Sequence, residues 1–211
     1  MIVGVPKEIK SSEFRVGVTP ATGARIVNEN HTLIVEKNAG IGIGASDDDY
    51  KKIGAHVVDS ASDVFNKSEM IVKVKEPQES EWEMLKEGQI LFTYLHLAAD
   101  PDQAEGLMKS KCHAIAYETI TDNRGTLPLL APMSEIAGRL AVFEGAYHSK
   151  KTSGGPGALI SGVPGVKPSK VVILGGGMVG TNAAHMAAGL GADVTIFDKS
   201  IDRLRYLNDI F

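Results

Sequence analysis

Over the first 120 residues, short apolar runs alternate with segments whose apolar positions recur at helical spacing. Residues 2–5, Ile2-Val3-Gly4-Val5, read as a strand. Thr19 is placed to cap a helix that Pro20 opens and that runs to about residue 30. A strand follows at 32–36, then a flexible glycine loop at 40–44, a short helix at 47–53 closed by Gly54 and a short strand at 56–58. The pattern continues with a helical turn at 60–65 and a strand at 70–75 stopped by Pro77. A helix at 80–87 capped by Gly88, a strand at 90–95, a helix from Asp100-Pro101 to about 109 and a strand at 114–117 complete the series. Strands alternating with short helices imply a mostly parallel sheet covered on both faces.

The pattern then changes. Met133, Ile136, Ala137, Leu140, Ala141 and Tyr147 share helical spacing and predict one long helix over 133–150. Residues 152–168 hold five glycines and three prolines, too irregular for the interior of an element, which marks a junction. A domain boundary near 131 is expected, giving an α/β domain over 1–131 and a second over 132–211.

That second domain contains the most specific local signal. The strand Val171-Val172-Ile173-Leu174 feeds Gly175-Gly176-Gly177-Met178-Val179-Gly180, an alanine-rich helix spans about 178–190, and a second strand at 193–197 ends on Asp198. Gly175, Gly177 and Gly180 have the G-x-G-x-x-G spacing of a dinucleotide fold: one glycine for the tight turn, one for approach of a pyrophosphate, one for close helix–strand packing. The helix N-terminus offers unpaired N–H groups and partial positive charge to the phosphates. Asp198, 18 residues beyond Gly180, is placed to accept hydrogen bonds from a ribose. Its carboxylate repels a 2′-phosphate, so NAD is expected over NADP, with Lys199 and Arg203 working against that preference.

Composition narrows the remaining classes. The chain of 211 residues is 43% hydrophobic and carries a net charge of -4, an ordinary globular balance with no basic footprint for nucleic acid. No apolar run approaches the roughly 20 residues that span a bilayer, and the N-terminus is already a strand rather than a signal peptide. Cys112 is the single cysteine, which excludes an intrachain disulfide and a cysteine metal site. A cytoplasmic protein is expected. None of His31, His56, His113, His148 and His185 forms a ligand-spaced pair on a helix, so no metal site is expected.

In open α/β sheets, chemistry collects beyond the carboxyl ends of the strands. Lys75 at the end of 70–75, His96 just past Leu95 and Arg15 in the polar loop after the first strand all fall there. Each also has a plain alternative as a solvated surface group. Lys73 shares a strand face with Lys75, and pattern alone does not choose between them.

Several stretches bear a family likeness. Met1-Ile2-Val3-Gly4-Val5-Pro6-Lys7-Glu8 with Arg15-Val16-Gly17-Val18-Thr19-Pro20 resembles the alanine dehydrogenase and transhydrogenase α-subunit superfamily. Thr93-Tyr94-Leu95-His96-Leu97-Ala98-Ala99, Met133-Ser134-Glu135-Ile136-Ala137-Gly138-Arg139, Gly162-Val163-Pro164-Gly165-Val166 and the run Leu174 to Ala184 resemble the alanine dehydrogenases specifically. Residues 143–151 fit the usual run poorly. The resemblance implies reversible NAD-dependent deamination of L-alanine to pyruvate and ammonia. By the same likeness, Arg15 and Lys75 bind substrate, His96 is the acid/base, and Ser134, Met178, Val179, Asp198 and Arg203 contact NAD beside the glycines. It further implies a homo-oligomer, a hexamer or dimer.

The residue types suit that chemistry. An arginine fork orients a carboxylate, a lysine polarises a carbonyl oxygen, and a histidine exchanges protons near neutral pH. Two rival functions share the ancestry: the NAD-binding component of a proton-translocating transhydrogenase, and a non-catalytic truncated product. A saccharopine dehydrogenase is a more distant enzyme alternative. A complete dinucleotide fold has about six strands, whereas this sequence ends at Phe211 after two of them. The expectation is an N-terminal portion of a longer enzyme, inactive by itself.

Overall fold

The computed structural model describes residues 1–211, which divide into two compact units, Met1–Ile120 and Thr121–Phe211. The division falls ahead of the expected boundary near 131.

The first unit is built on β1 (Ile2–Val5), β2 (Thr32–Glu36), β3 (His56–Val58), β4 (Met70–Val72), β5 (Ile90–Thr93) and β6 (His113–Ala116). All pairings are parallel and the strand order is β3-β2-β1-β4-β5-β6. A parallel sheet needs crossover connections, and these are α1 (Pro20–Asn28), α2 (Asp47–Lys52), α3 (Ala61–Lys67), α4 (Glu79–Trp82) and α5 (Pro101–Ser110). Each helix start is written locally. The side chains of Thr19, Ser60 and Asp100 accept from backbone N–H groups of the first turn, and Ser46 with Asp49 forms a reciprocal capping box.

Burial on both faces explains the continuous apolar strands. Along β2, Leu33 and Val35 join Val3, Val5 and Tyr50 in one core, while Ile34 joins Phe65, Ile71 and Leu91 in the other. The order reverses between β1 and β4, and the carboxyl ends of the strands at such a reversal are the usual ligand position in open α/β sheets.

Three elements are shorter than expected. β4 stops at Val72 and β5 at Thr93, although the chain continues to pair: the Lys73 amide donates to the Phe92 carbonyl and the Tyr94 amide to the Val74 carbonyl. Lys75 therefore lies beyond the strand rather than ending it. α4 is a single capped turn rather than a helix to residue 87. The glycine loop at 40–44 contains a 3-10 turn, Ile41–Ile43, packed so closely that a Cβ on Gly42 would lie 2.1 Å from the Phe14 carbonyl oxygen.

The second unit comprises α6 (Ala131–His148), β7 (Lys170–Leu174), α7 (Met178–Gly189), β8 (Asp193–Phe197) and α8 (Ile201–Ile210). β7 and β8 form a two-stranded parallel sheet in register Lys170↔Asp193 to Leu174↔Phe197. Its small core is Val142, Ile173, Ala183, Ala184 and Ala187. Glycine lets α6 and α7 meet backbone to backbone, since a Cβ on Gly138 would lie 2.2 Å from the Val179 carbonyl oxygen. The apolar stripe Ile136, Leu140, Phe143 and Tyr147 on α6 is exposed instead.

Gly138→Ala is expected to destabilise the second unit by about 1–3 kcal/mol through overpacking, read as an earlier thermal transition of residues 121–211 with the first unit unchanged. Unchanged melting would contradict the close helix contact.

Candidate functional site

Arg15 follows β1, Lys75 follows β4 and His96 follows β5, so parallel pairing brings all three to the carboxyl end of one sheet. Their electrostatic neighbours connect them. Glu13 is lowered first by its hydrogen bonds from Arg15 and also by the Lys75 charge. Tyr94, pushed up by burial and drawn down by Arg15, stacks on the His96 ring with centroids 5.7 Å apart.

Arg15 is held by its own loop. Its Nε donates to Glu13 Oε1 at 2.8 Å and Nη2 to Oε2 at 2.6 Å, so one edge of the guanidinium is occupied by a buried carboxylate. That pairing raises the arginine further. Glu13 thus fixes the direction in which Arg15 presents its charge.

The choice between Lys73 and Lys75 is made by burial. The Lys73 side chain is 1% exposed and ion-pairs with Glu8 Oε2 at 3.3 Å and Glu81 Oε1 at 2.8 Å. A lysine buried between two carboxylates is a structural strut, and removing it would leave buried carboxylates unpaired. Burial pushes the Glu8 carboxyl up, against the pull of Lys73 and the Val74 amide. Lys75, half-buried, is the lysine at the crevice.

His96 sits in a left-handed backbone conformation, φ 50° and ψ 34°, uncommon for a residue with a Cβ. Glu118 holds the turn by accepting from the amides of Leu95 at 3.1 Å and His96 at 2.9 Å. Burial is the largest single influence on Glu118 and raises it, but the amides of His96, Glu118 and Leu95 together keep it below the ordinary carboxylate range. Gln103 Nε2 holds the Leu95 carbonyl at 2.8 Å. His96 Nδ1 lies 3.6 Å from Glu76 Oε2, a buried oxygen with no hydrogen-bond partner, while Lys10 pairs with the other oxygen of that carboxylate. Ser12, Asn30, Asn38 and Lys111 share this left-handed backbone, so the conformation alone does not mark His96 as functional.

Glu13, Glu76, Tyr94 and Glu118 were absent from the candidates read in the sequence. Glu13, Glu76 and Tyr94 lie within two residues of Arg15, Lys75 and His96 along the chain, a local signal that Glu118 lacks. Glu118 meets His96 across 22 residues, which no pattern along the chain reveals.

In the second unit, the glycine turn has the expected form. Gly175 has φ 96°, and no atom lies within 4 Å of a Cβ built on Gly175 or Gly177, so the space above both backbones is open. A Cβ on Gly180 would lie 1.8 Å from the Gly175 carbonyl oxygen, which is why helix and turn can close. α7 begins at Gly177 without a side-chain cap, leaving its first N–H groups for a ligand. Ser134, Gly175, Gly177, Met178, Val179 and Gly180 line a cavity of about 720 Å³ between α6, β7 and α7.

Asp198 does double duty. Its carboxylate accepts from the Ser200 amide at 2.8 Å and the Gly176 amide at 2.7 Å, bonds that lower it. Arg203 crosses the turn, donating from Nε to the Gly176 carbonyl and from Nη2 to Thr181 Oγ1 at 2.6 Å, with Tyr206 beneath its guanidinium. Asp198 and Arg203 therefore brace the glycine turn as well as bordering it.

Residues 4–137 match the family described as Alanine dehydrogenase/PNT, N-terminal domain, and residues 141–211 its C-terminal domain. An alanine dehydrogenase of Methanococcus maripaludis is 53% identical over all of this chain and 57% of its own length. A solved L-alanine dehydrogenase superposes with a TM-score of 0.93 at 55% identity, covering all of this chain and 58% of its own. A transhydrogenase from Sinorhizobium meliloti superposes with a TM-score of 0.83 at 23% identity, covering all of this chain and 62% of its own, a likeness of fold alone. The chain thus spans little more than half the length of these relatives.

A folded carboxyl below its unfolded value stabilises at pH above that value and loses its contribution as pH falls through the folded one. The Leu95 and His96 amides should accordingly lose hydrogen-exchange protection as Glu118 is protonated, and Glu118→Ala should lose it at every pH. Protection independent of both would show that Glu118 does not hold the turn.

Proposed function

The chain belongs to the alanine dehydrogenase/PNT family, and from that premise we propose that the protein carrying it catalyses reversible NAD-dependent oxidative deamination of L-alanine to pyruvate and ammonia. The observation that supports this is the placement of Arg15, Lys75 and His96 at the carboxyl ends of β1, β4 and β5, with the burial of Lys73 in two ion pairs favouring Lys75 as the substrate lysine.

Each group has a role that follows from its surroundings. Arg15, braced by Glu13, supplies a directed cation for the substrate carboxylate. The Lys75 ammonium stabilises negative charge on the oxygen of pyruvate or of the alkoxide that follows water attack. His96 takes protons from the amine and from the attacking water and returns them in the reverse direction. Nδ1 lies on the Glu76 side of the ring, so the exchange is assigned to Nε2.

NAD fits the second unit: the open backbone over Gly175 and Gly177 and the uncapped start of α7 suit a pyrophosphate, and Asp198 suits a ribose diol over a 2′-phosphate. Ser134, Met178, Val179 and Arg203 border the same turn. When bound, NAD supplies the hydride acceptor; the protein supplies orientation and charge. No helix is long and apolar enough to cross a membrane, and a cytoplasmic location is proposed with it. The exposed stripe on α6 supports self-association as a homo-oligomer. The domain assignment proposed is substrate binding in residues 1–131 and dinucleotide binding in 132–211.

NADH formation from L-alanine by the protein tests the activity. His96→Ala should lower kcat by roughly 10²–10⁴-fold with NAD affinity nearly intact; near wild-type kcat would return His96 to a packing role. Asp198→Ala should weaken NAD binding and narrow the NAD/NADP ratio in titrations, and an unchanged ratio would sink the ribose assignment. A protein that transfers hydride between nucleotides but does not oxidise L-alanine would favour the transhydrogenase alternative.

A further inference from the structure

We propose that Thr93 is a positioning residue for Lys75, its hydroxyl setting where the substrate lysine and the neighbouring Glu76 carboxylate point. This rests on Lys75 being the substrate-binding lysine. Thr93 is the last residue of β5 and is fully buried. Its Oγ1 donates to the Lys75 carbonyl at 2.8 Å.

That bond belongs to a set. β4 leaves the regular ladder at Val72, yet the three residues that follow remain buried or half-buried, so their backbone groups need partners. The Lys73 carbonyl accepts from Tyr117 Oη at 2.7 Å, the Val74 amide donates to Glu8 Oε1 at 2.6 Å, and the Lys75 carbonyl takes the Thr93 hydroxyl. Of these three tethers, Thr93 is the one that acts on Lys75 itself. The carbonyl it holds belongs to the peptide joining Lys75 to Glu76, so a rotation of that peptide would move the ammonium and the carboxylate beside His96 together. Valine has the shape of threonine but no hydroxyl; it would leave this carbonyl unpaired and favour rotation toward water.

The test compares Thr93→Val with Thr93→Ser, which keeps the hydroxyl, and with Leu91→Ala, a core truncation in the same strand that loosens packing without touching residues 73–76. Steady-state pyruvate reduction with NADH and ammonium gives the kinetics, and amide shifts of Lys75 and Glu76 give the geometry. Thr93→Val should raise the pyruvate KM about tenfold or more, leave the NADH KM within about twofold, and move both amides. Thr93→Ser should restore pyruvate KM and shifts, and Leu91→Ala should change neither at matched loss of thermal stability. Should the valine variant not fold, Thr93→Ala removes the same hydroxyl and takes its place. Unmoved amides, or a pyruvate KM unchanged in the variant lacking the hydroxyl, would overturn the role of Thr93 alone. No turnover by the full-length wild-type protein, on which all these variants are made, would instead overturn the proposed function and with it the substrate role of Lys75, and still amides would then separately dispose of Thr93.

Discussion

A buried backbone must have its N–H and C=O groups paired, and the crevice in this protein is organised by how that demand is met after β4 leaves its ladder. The strand ends at Val72, where the chain after β1 packs closely on it: a Cβ on Gly17 would lie 2.5 Å from the Val72 carbonyl oxygen. Side chains from three other segments replace the lost partners. Glu8 comes from the loop after β1, Thr93 from the end of β5 and Tyr117 from the segment after β6. The price is a buried carboxylate at Glu8, whose charge the buried Lys73 offsets while the same lysine pairs with Glu81. Residues that never meet a substrate thereby define where Lys75 stands.

The same economy of means recurs at the other two loops. Arg15 is aimed by Glu13, and His96 is held in its left-handed turn by Glu118, Gln103 and the stacked Tyr94. In each case a polar residue at the carboxyl end of the sheet is held by a partner from the surrounding loops. Such arrangement gives directed charge at little reorganisation cost when a ligand enters, the condition under which electrostatic stabilisation is most effective. The glycine turn of the second unit follows the same rule, with Asp198 and Arg203 bracing the backbone that a pyrophosphate would approach.

What was legible in the sequence was local. The alternation of strands and helices, the cap at Thr19, and the spacing of Gly175, Gly177 and Gly180 with Asp198 are all set by neighbours along the chain, and the structure reproduces them. Lys73 against Lys75 was not legible, because a period of two puts both on one face and the deciding carboxylate, Glu8, lies 65 residues away. The strained turn at His96 was equally hidden, since its holder Glu118 arrives through the pairing of β5 with β6. On α6, spacing predicted the helix but not its direction: glycine at 138 turns that side toward α7 and leaves Ile136, Leu140, Phe143 and Tyr147 outward.

The central claim is that the crevice between β1 and β4 receives a small 2-oxo acid through Arg15, Lys75 and His96. Its most direct test is an experimental structure of the protein with pyruvate bound. The account predicts the carboxylate beside Arg15 with the Glu13 contact retained, the keto oxygen facing Lys75 and His96, and Lys73 still enclosed between Glu8 and Glu81. Pyruvate ordered elsewhere, or bound by a Lys73 that has left its two carboxylates, would contradict it.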